Sequence, residues 1–365
     1  MAAILKSTDQ RLFIWLAAGV VVGVLASTNP FYQPDVTLQV AIAVWFTDMV
    51  LAVLMSIHRI TARLGTLLIG LSLAVPCFLR ATPLSRGLLM CCMVFPLLIV
   101  ALPLLAPPTT NYRQRLAYLF TWLGTREVNW RPRAFDVNSL LHFIAATLVL
   151  CAAIAAVKAT PDSGGWLLPR WLAGGIMLLA FAEMLSAVHD FLAALIGITA
   201  PALMRSPALS VSLSEFWTRR WNPAASFLLF RRFFFAPLAR RGAAVALCVA
   251  FIASAVAHVL LPYMAVGKFG ISLLCGAFFL VQPLLIAAER SMNVRRWPRA
   301  AARLWTLTAL AITSPLFVEP ALQVVEPSWG RGDDLLLPIL AIVAFVVGIN
   351  LFFLVGCLAA VRNPE

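Results

Sequence analysis

Apolar residues in this chain come in long unbroken blocks, interrupted by short runs that carry Arg, Pro or Gly. Ten blocks approach the length of a bilayer crossing: about 12–26, 36–57, 64–79, 87–106, 139–157, 171–198, 243–262, 269–289, 304–325 and 336–360. A helix needs roughly 20 apolar residues to cross the hydrocarbon core. The pattern therefore predicts an all-α fold, a polytopic transmembrane helical bundle of about eight to eleven spans, with residues 1–365 as one integral membrane domain. The third block, bracketed by Arg63 and Arg80, is the weakest. The first is followed by no convincing small-residue cleavage pattern and is read as a retained span. Two connecting stretches, Pro107 to Asn138 and Thr199 to Gly242, are long enough to be functional or re-entrant. Within the second, Pro223 to Phe235 (PAASFLLFRRFFF) suits a helix in the membrane interface or a short packing helix. No internal repeat or matched pair of broken helices is evident, which weakens a transporter reading.

Composition excludes a water-soluble protein. Of 365 residues 62% are hydrophobic and 12% charged, against about 25% charged in soluble domains. The net charge of +13 would point to nucleic acid in a soluble chain; here it orients the spans. With a cytoplasmic N-terminus, 22 of the 28 Lys and Arg fall on the cytoplasmic side and 6 on the other. That asymmetry predicts both termini in the cytoplasm, and no nucleic-acid partner is expected. The seven cysteines, Cys77, Cys91, Cys92, Cys151, Cys248, Cys275 and Cys357, sit in or beside apolar runs without C-x-x-C spacing. They read as small apolar residues, and neither a disulfide framework nor a metal site is expected. Abundant Arg and Ala with only three lysines leans towards a bacterial inner membrane, with the endoplasmic reticulum as the alternative.

Ionisable residues inside spans are costly and are functional candidates by default. They are Asp48, Glu183, His189, Asp190, His258, Glu289 and Glu319. Glu183 and Asp190, seven apart with His189 alongside, form a polar stripe on the sixth span. The stripe is expected to face the same chamber as His258, or else to be a hydrogen-bonded network that only fixes packing.

Two segments decide between function classes. Ser212 to Asn222 reads SLSEFWTRRWN, and Phe251 to Tyr263 reads FIASAVAHVLLPY. Together they resemble the wax synthase-like branch of the membrane-bound O-acyltransferases, whose pattern runs close to S-L-x-x-F-W-x-R-R-W-[NH] and then F-x-x-S-x-x-x-H. Phe216, Trp217, Arg219, Arg220, Trp221 and Asn222 fall into the first part, Ser254 and His258 into the second. Phe278 to Glu289 and Arg303 to Phe317 are also similar, so the resemblance covers a core region of about 201–317. Two positions depart from the pattern: Val259 stands where family members commonly carry Glu, and Gln282-Pro283 replaces a His-Gly.

The resemblance implies a bundle with a central reaction chamber in which an acyl group passes from acyl-CoA to a lipophilic alcohol. Acyl-CoA is then a co-substrate, no cofactor is tightly bound, and membrane lipids surround the chain. His258 is implied as general base and Asn222 as its helper at the thioester carbonyl. Arg219 and Arg220, with Trp217 and Trp221, are implied to hold the coenzyme. Glu183, His189, Asp190, Ser254 and Gln282 are implied to line the chamber. The physics is compatible: ester formation needs a base, oxyanion donors and exclusion of water. A histidine ~22 Å along a span that begins near Ala243 is expected to be neutral and able to accept a proton. Two rivals remain open. One is an isoprenoid cyclase on the same fold, with Glu183 or Asp190 as acid; the other is a transporter or non-catalytic membrane protein.

Overall fold

The computed structural model describes residues 129–199, 202–223, 226 and 235–328, with four further positions (47, 50, 51 and 54) in a helical state. The predicted spans 12–26, 36–57, 64–79, 87–106 and 336–360 lie outside the described residues apart from those four positions, as do Asp48, most of Pro107 to Asn138, and all of Pro223 to Phe235 except 223, 226 and 235. The described part is built from six helices longer than one turn: α1 (Val137–Ala159), α2 (Leu167–Ile196), α3 (Ala243–Val266), α4 (Phe269–Ser291), α5 (Arg299–Thr313) and α6 (Pro315–Val325). Two-residue strands, β1 (Asn129–Trp130) and β2 (Ile198–Thr199), pair antiparallel beside the end of α2. Among the described residues four helices are long and apolar enough to cross a membrane, and α5 with α6 forms a fifth candidate bent by 53°. The fold is an all-α, polytopic membrane protein.

Local chemistry sets where each helix starts and stops. Asp136 caps α1, accepting from the Ser139 N–H at 3.1 Å and the Ser139 hydroxyl at 2.9 Å. These bonds hold its carboxyl below the ordinary value. α2 ends on Gly197 in the left-handed region (φ 87°), where a Cβ would lie 2.9 Å from the Arg131 carbonyl. The sequence reading closes the third described span at Pro262, yet α3 continues to Val266. Proline removes one backbone donor, whereas ending the helix in lipid would strand several, so the helix runs on to Gly267 (φ 75°). The predicted 304–325 span is instead two helices: Pro315 has no N–H to continue α5 and starts α6 at its first turn.

α1 packs along α2 and α3 along α4, the second pair joined by only Gly267 and Lys268. α6 lies against α2, α3 and α4 and ties the two hairpins together. Close approach is bought with small residues: a Cβ on Gly174 of α2 would meet Val318 Cγ1 of α6 at 2.5 Å, and one on Gly276 of α4 would meet Val259 Cγ2 of α3 at the same distance. Val259, one of the two departures from the acyltransferase pattern, therefore fills the groove that Gly276 leaves. At the end of α2 away from β2, buried Arg170 donates to the Val157 carbonyl (3.0 Å) and the Thr160 carbonyl (3.2 Å) and pairs with Glu326 after α6.

Gly276→Ala should therefore overpack the α3/α4 seam, at a cost of about 1–3 kcal/mol, and lower the Tm of the detergent-extracted protein. Adding Val259→Ala vacates the same space and should restore most of the loss. Equal Tm values for the single and double variants would show that the two side chains do not share one groove.

Candidate active site

The segment SLSEFWTRRWN folds as a capped turn that changes pitch. Ser212 Oγ accepts from the Glu215 N–H at 2.9 Å, and Glu215 Oε2 accepts from the Val211 N–H at 2.9 Å. This is a variant of the reciprocal Ser/Glu cap at a helix start. After Leu213–Glu215 the chain widens into a π-helical turn over Phe216–Arg220, closed by the Trp221 N–H on the Phe216 carbonyl at 2.8 Å. A π turn brings positions five apart onto one side, and Phe216 stacks on Trp221 with centroids 5.5 Å apart and 17° between planes. Such turns recur at functional sites. Asn222 ends the turn at φ 40°, a left-handed conformation that Asn tolerates better than most residues.

α4 holds this turn at two points. Glu289, 2% exposed, accepts from the Leu213 N–H at 2.5 Å. Gln282, fully buried, accepts from Trp217 Nε1–H at 3.1 Å while its own amide donates to the Phe278 carbonyl at 3.1 Å. The two residues are seven apart on α4 and so share a face. Gln282 lies ~14 Å from the Ser291 end of its helix, so the connecting segment dips well inward. The Trp217 indole then meets Phe251, Phe278 and Phe279, with centroids 5.6 to 6.0 Å away.

Phe279 leads to His258. Their rings lie 4.0 Å apart at 31°, with Phe317 of α6 at 6.0 Å. His258 Nδ1 is 2.8 Å from the Ser254 carbonyl one turn earlier and 3.4 Å from the Ser254 hydroxyl. A carbonyl oxygen only accepts, so Nδ1 carries the proton and Nε2 presents a lone pair. Nε2 has no hydrogen-bond partner among the described residues, and His258 as a whole is half-buried. What the arrangement offers chemically is a proton acceptor of fixed tautomer in an aromatic wall, tied through Phe279, Trp217 and Gln282 to the π turn.

Residues 200–281 match the family described as the membrane bound O-acyl transferase family. The match supports a membrane-bound O-acyltransferase. No curated protein matches the chain. The acyltransferase match covers the π turn, Asn222, Ser254 and His258, and stops one residue before Gln282.

The remaining sequence-predicted residues divide. Arg220 is occupied: its Nε donates to Glu215 Oε1 at 2.6 Å and its Nη1 to the carbonyls of Arg205 and Ser206. Arg219 is exposed and is the freer cation of the pair. Trp217 and Trp221 are engaged in ring packing with neighbouring aromatic side chains. Glu183, at one end of the stripe on α2, turns towards α1. Glu183 pairs with His142 of α1 at 3.3 Å, and Asp190 lies in the electrostatic neighbourhood of Asp136, Arg131 and Glu183. The physical reason is the hairpin itself, since α1 places His142 opposite Glu183. His189 is buried at 1% exposure and interacts beyond the contacts described above. An open pocket lined by Val266, Lys268, Gln323, Glu326 and Pro327 sits at the far end of α3, about two turns beyond His258.

Sequence reasoning missed the roles of Glu215 and Glu289. The first was readable as a Ser-x-x-Glu cap; the second depends on a contact 76 residues distant and has no local signal. Partial burial alone would raise the Glu215 carboxyl, but the Val211 N–H and the Arg220 guanidinium overcome this and hold it below its ordinary value of 4.5. A carboxyl lowered by folding contributes stability above the unfolded value and loses it as pH falls through the folded one. Thermal melts from about pH 6 to pH 3 should therefore show a steeper acid-side loss for the native protein than for Glu215→Gln. Parallel curves would remove Glu215 from the account of how the turn is held.

Proposed function

We propose that the chain is a wax synthase-like O-acyltransferase that moves an acyl group from acyl-CoA to the hydroxyl of a lipophilic alcohol. The observation that carries this reading is the Nδ1 contact with the Ser254 carbonyl, which leaves His258 Nε2 as the proton acceptor inside the stretch matched by the family. In the proposed step Nε2 takes the alcohol proton as the oxygen attacks the thioester carbonyl. The tetrahedral intermediate then expels the coenzyme A sulfur, which receives the proton back from His258, giving ester and free thiol. Asn222 is proposed to donate its amide to the developing oxyanion or to the thioester carbonyl. It has no useful proton-accepting pKa and is not a base. Arg219, exposed beside the turn, is proposed to meet coenzyme phosphate, as a guanidinium suits that geometry.

The alcohol's reactive end must reach an imidazole bordered by Phe279 and Phe317, which suits an apolar acceptor. The cyclase alternative loses support because Glu183 pairs with His142 of α1 rather than with the imidazole.

Membranes containing the protein, supplied with labelled acyl-CoA and a panel of fatty, sterol and terpenoid alcohols, should form ester detectable by mass spectrometry. Folded His258→Ala should lose at least about 10²-fold of that activity, the smallest contribution usual for positioned proton transfer. Near-normal ester formation by His258→Ala would end the proposed mechanism.

A further inference from the structure

Gln282 departs from the family pattern, carries no charge, and yet is completely buried on a membrane helix. Burying an amide in an apolar bundle is unfavourable unless each of its groups is partnered. Both are: the oxygen by Trp217 Nε1–H and the nitrogen by the Phe278 carbonyl. Neither bond points at an open space for substrate. The donor to its oxygen belongs to the one segment that carries Phe216 through Asn222, and the indole it holds rests against Phe279, the residue stacked on His258. The second hold from α4, Glu289 on the Leu213 N–H, grips a backbone group before the π turn, and the far end of the turn is tied away from α4, by the Arg205 N–H on the Arg220 carbonyl at 2.9 Å. The Gln282 bond falls within the π turn itself, between the Glu289 hold and Asn222.

We infer that Gln282 is a positioning residue: through its hydrogen bond to Trp217 it fixes the π turn, and with it Asn222, relative to the Phe279-backed His258. This rests on the proposed acyl transfer for its kinetic consequence, but the geometry is independent of the reaction. It also replaces the expectation that Gln282 is a wall of the acceptor chamber. A wall residue acts on how the alcohol binds; a positioning residue acts on how the bound reactants meet, and a displacement of about 1 Å can cost about 10²-fold.

The test uses the full chain in detergent or nanodiscs and three changes: Gln282→Met, which keeps size and loses both bonds; Gln282→Glu, which keeps an oxygen facing the indole; and Trp217→Phe, which removes the donor. Gln282→Met and Trp217→Phe should each lower kcat by about 10-fold to 10²-fold, with KM for the alcohol changed far less. Gln282→Glu should recover most of the lost kcat. The Gln282→Met, Trp217→Phe double variant should be no more than about threefold worse than the worse single, because both remove one bond. Multiplying losses, or a raised alcohol KM at unchanged kcat, would overturn the inference. A native protein that forms no ester counts against the acyl-transfer reading alone. In that event, or if Gln282→Met extracts poorly, the rate of diethyl pyrocarbonate modification at His258 is compared between the native chain and Gln282→Glu or Trp217→Phe. The inference predicts a changed rate for Trp217→Phe and a near-native rate for Gln282→Glu; native rates in both would overturn it.

Discussion

One hydrogen bond determines what this site can do. With the Ser254 carbonyl 2.8 Å from His258 Nδ1, the proton of the neutral ring has a fixed address, and the second nitrogen is left as the acceptor. The bond is supplied by the helix that carries the histidine, from the carbonyl one turn back. It therefore survives wherever α3 is helical. α3 itself runs on past Pro262, since a helix broken there would leave backbone groups in lipid without partners.

Around this fixed imidazole the packing supplies a wall and a connection. α4 lies close on α3 because Gly276 admits Val259, and the same closeness sets Phe279 on the imidazole. The long connecting segment is then drawn inward by the face of α4 that bears Gln282 and Glu289. A segment that would otherwise be a surface loop becomes part of the bundle because the Trp217 indole N–H and the Leu213 backbone N–H both find buried acceptors.

Much of this was legible in the sequence. Apolar block length located the described spans to within a few residues, and the spacing of Ser254 and His258 on one helical face follows from their separation of four. The segment with Trp217 and Asn222 was singled out by its resemblance to the acyltransferase pattern. What could not be read was orientation. Periodicity says that Glu183 and Asp190 share a face of α2; it does not say which neighbour that face meets, and the structure sets Glu183 against His142 of α1. The π turn was equally hidden, since nothing in FWTRR distinguishes a wide turn from an ordinary one before Trp221 stacks on Phe216. Pro262 and Pro315 look alike in sequence but act differently, one absorbed within α3 and the other opening α6.

The most direct test is the protonation pattern of the His258 ring. The chain has four histidines, so protein labelled with nitrogen-15 at the histidine rings gives a small set of signals, and His258→Gln identifies those of His258 by their loss. At neutral pH the account predicts a protonated Nδ1 and an unprotonated Nε2 for His258. A proton found on Nε2 instead would contradict it, because the nitrogen that faces away from the Ser254 carbonyl could then no longer act as the base.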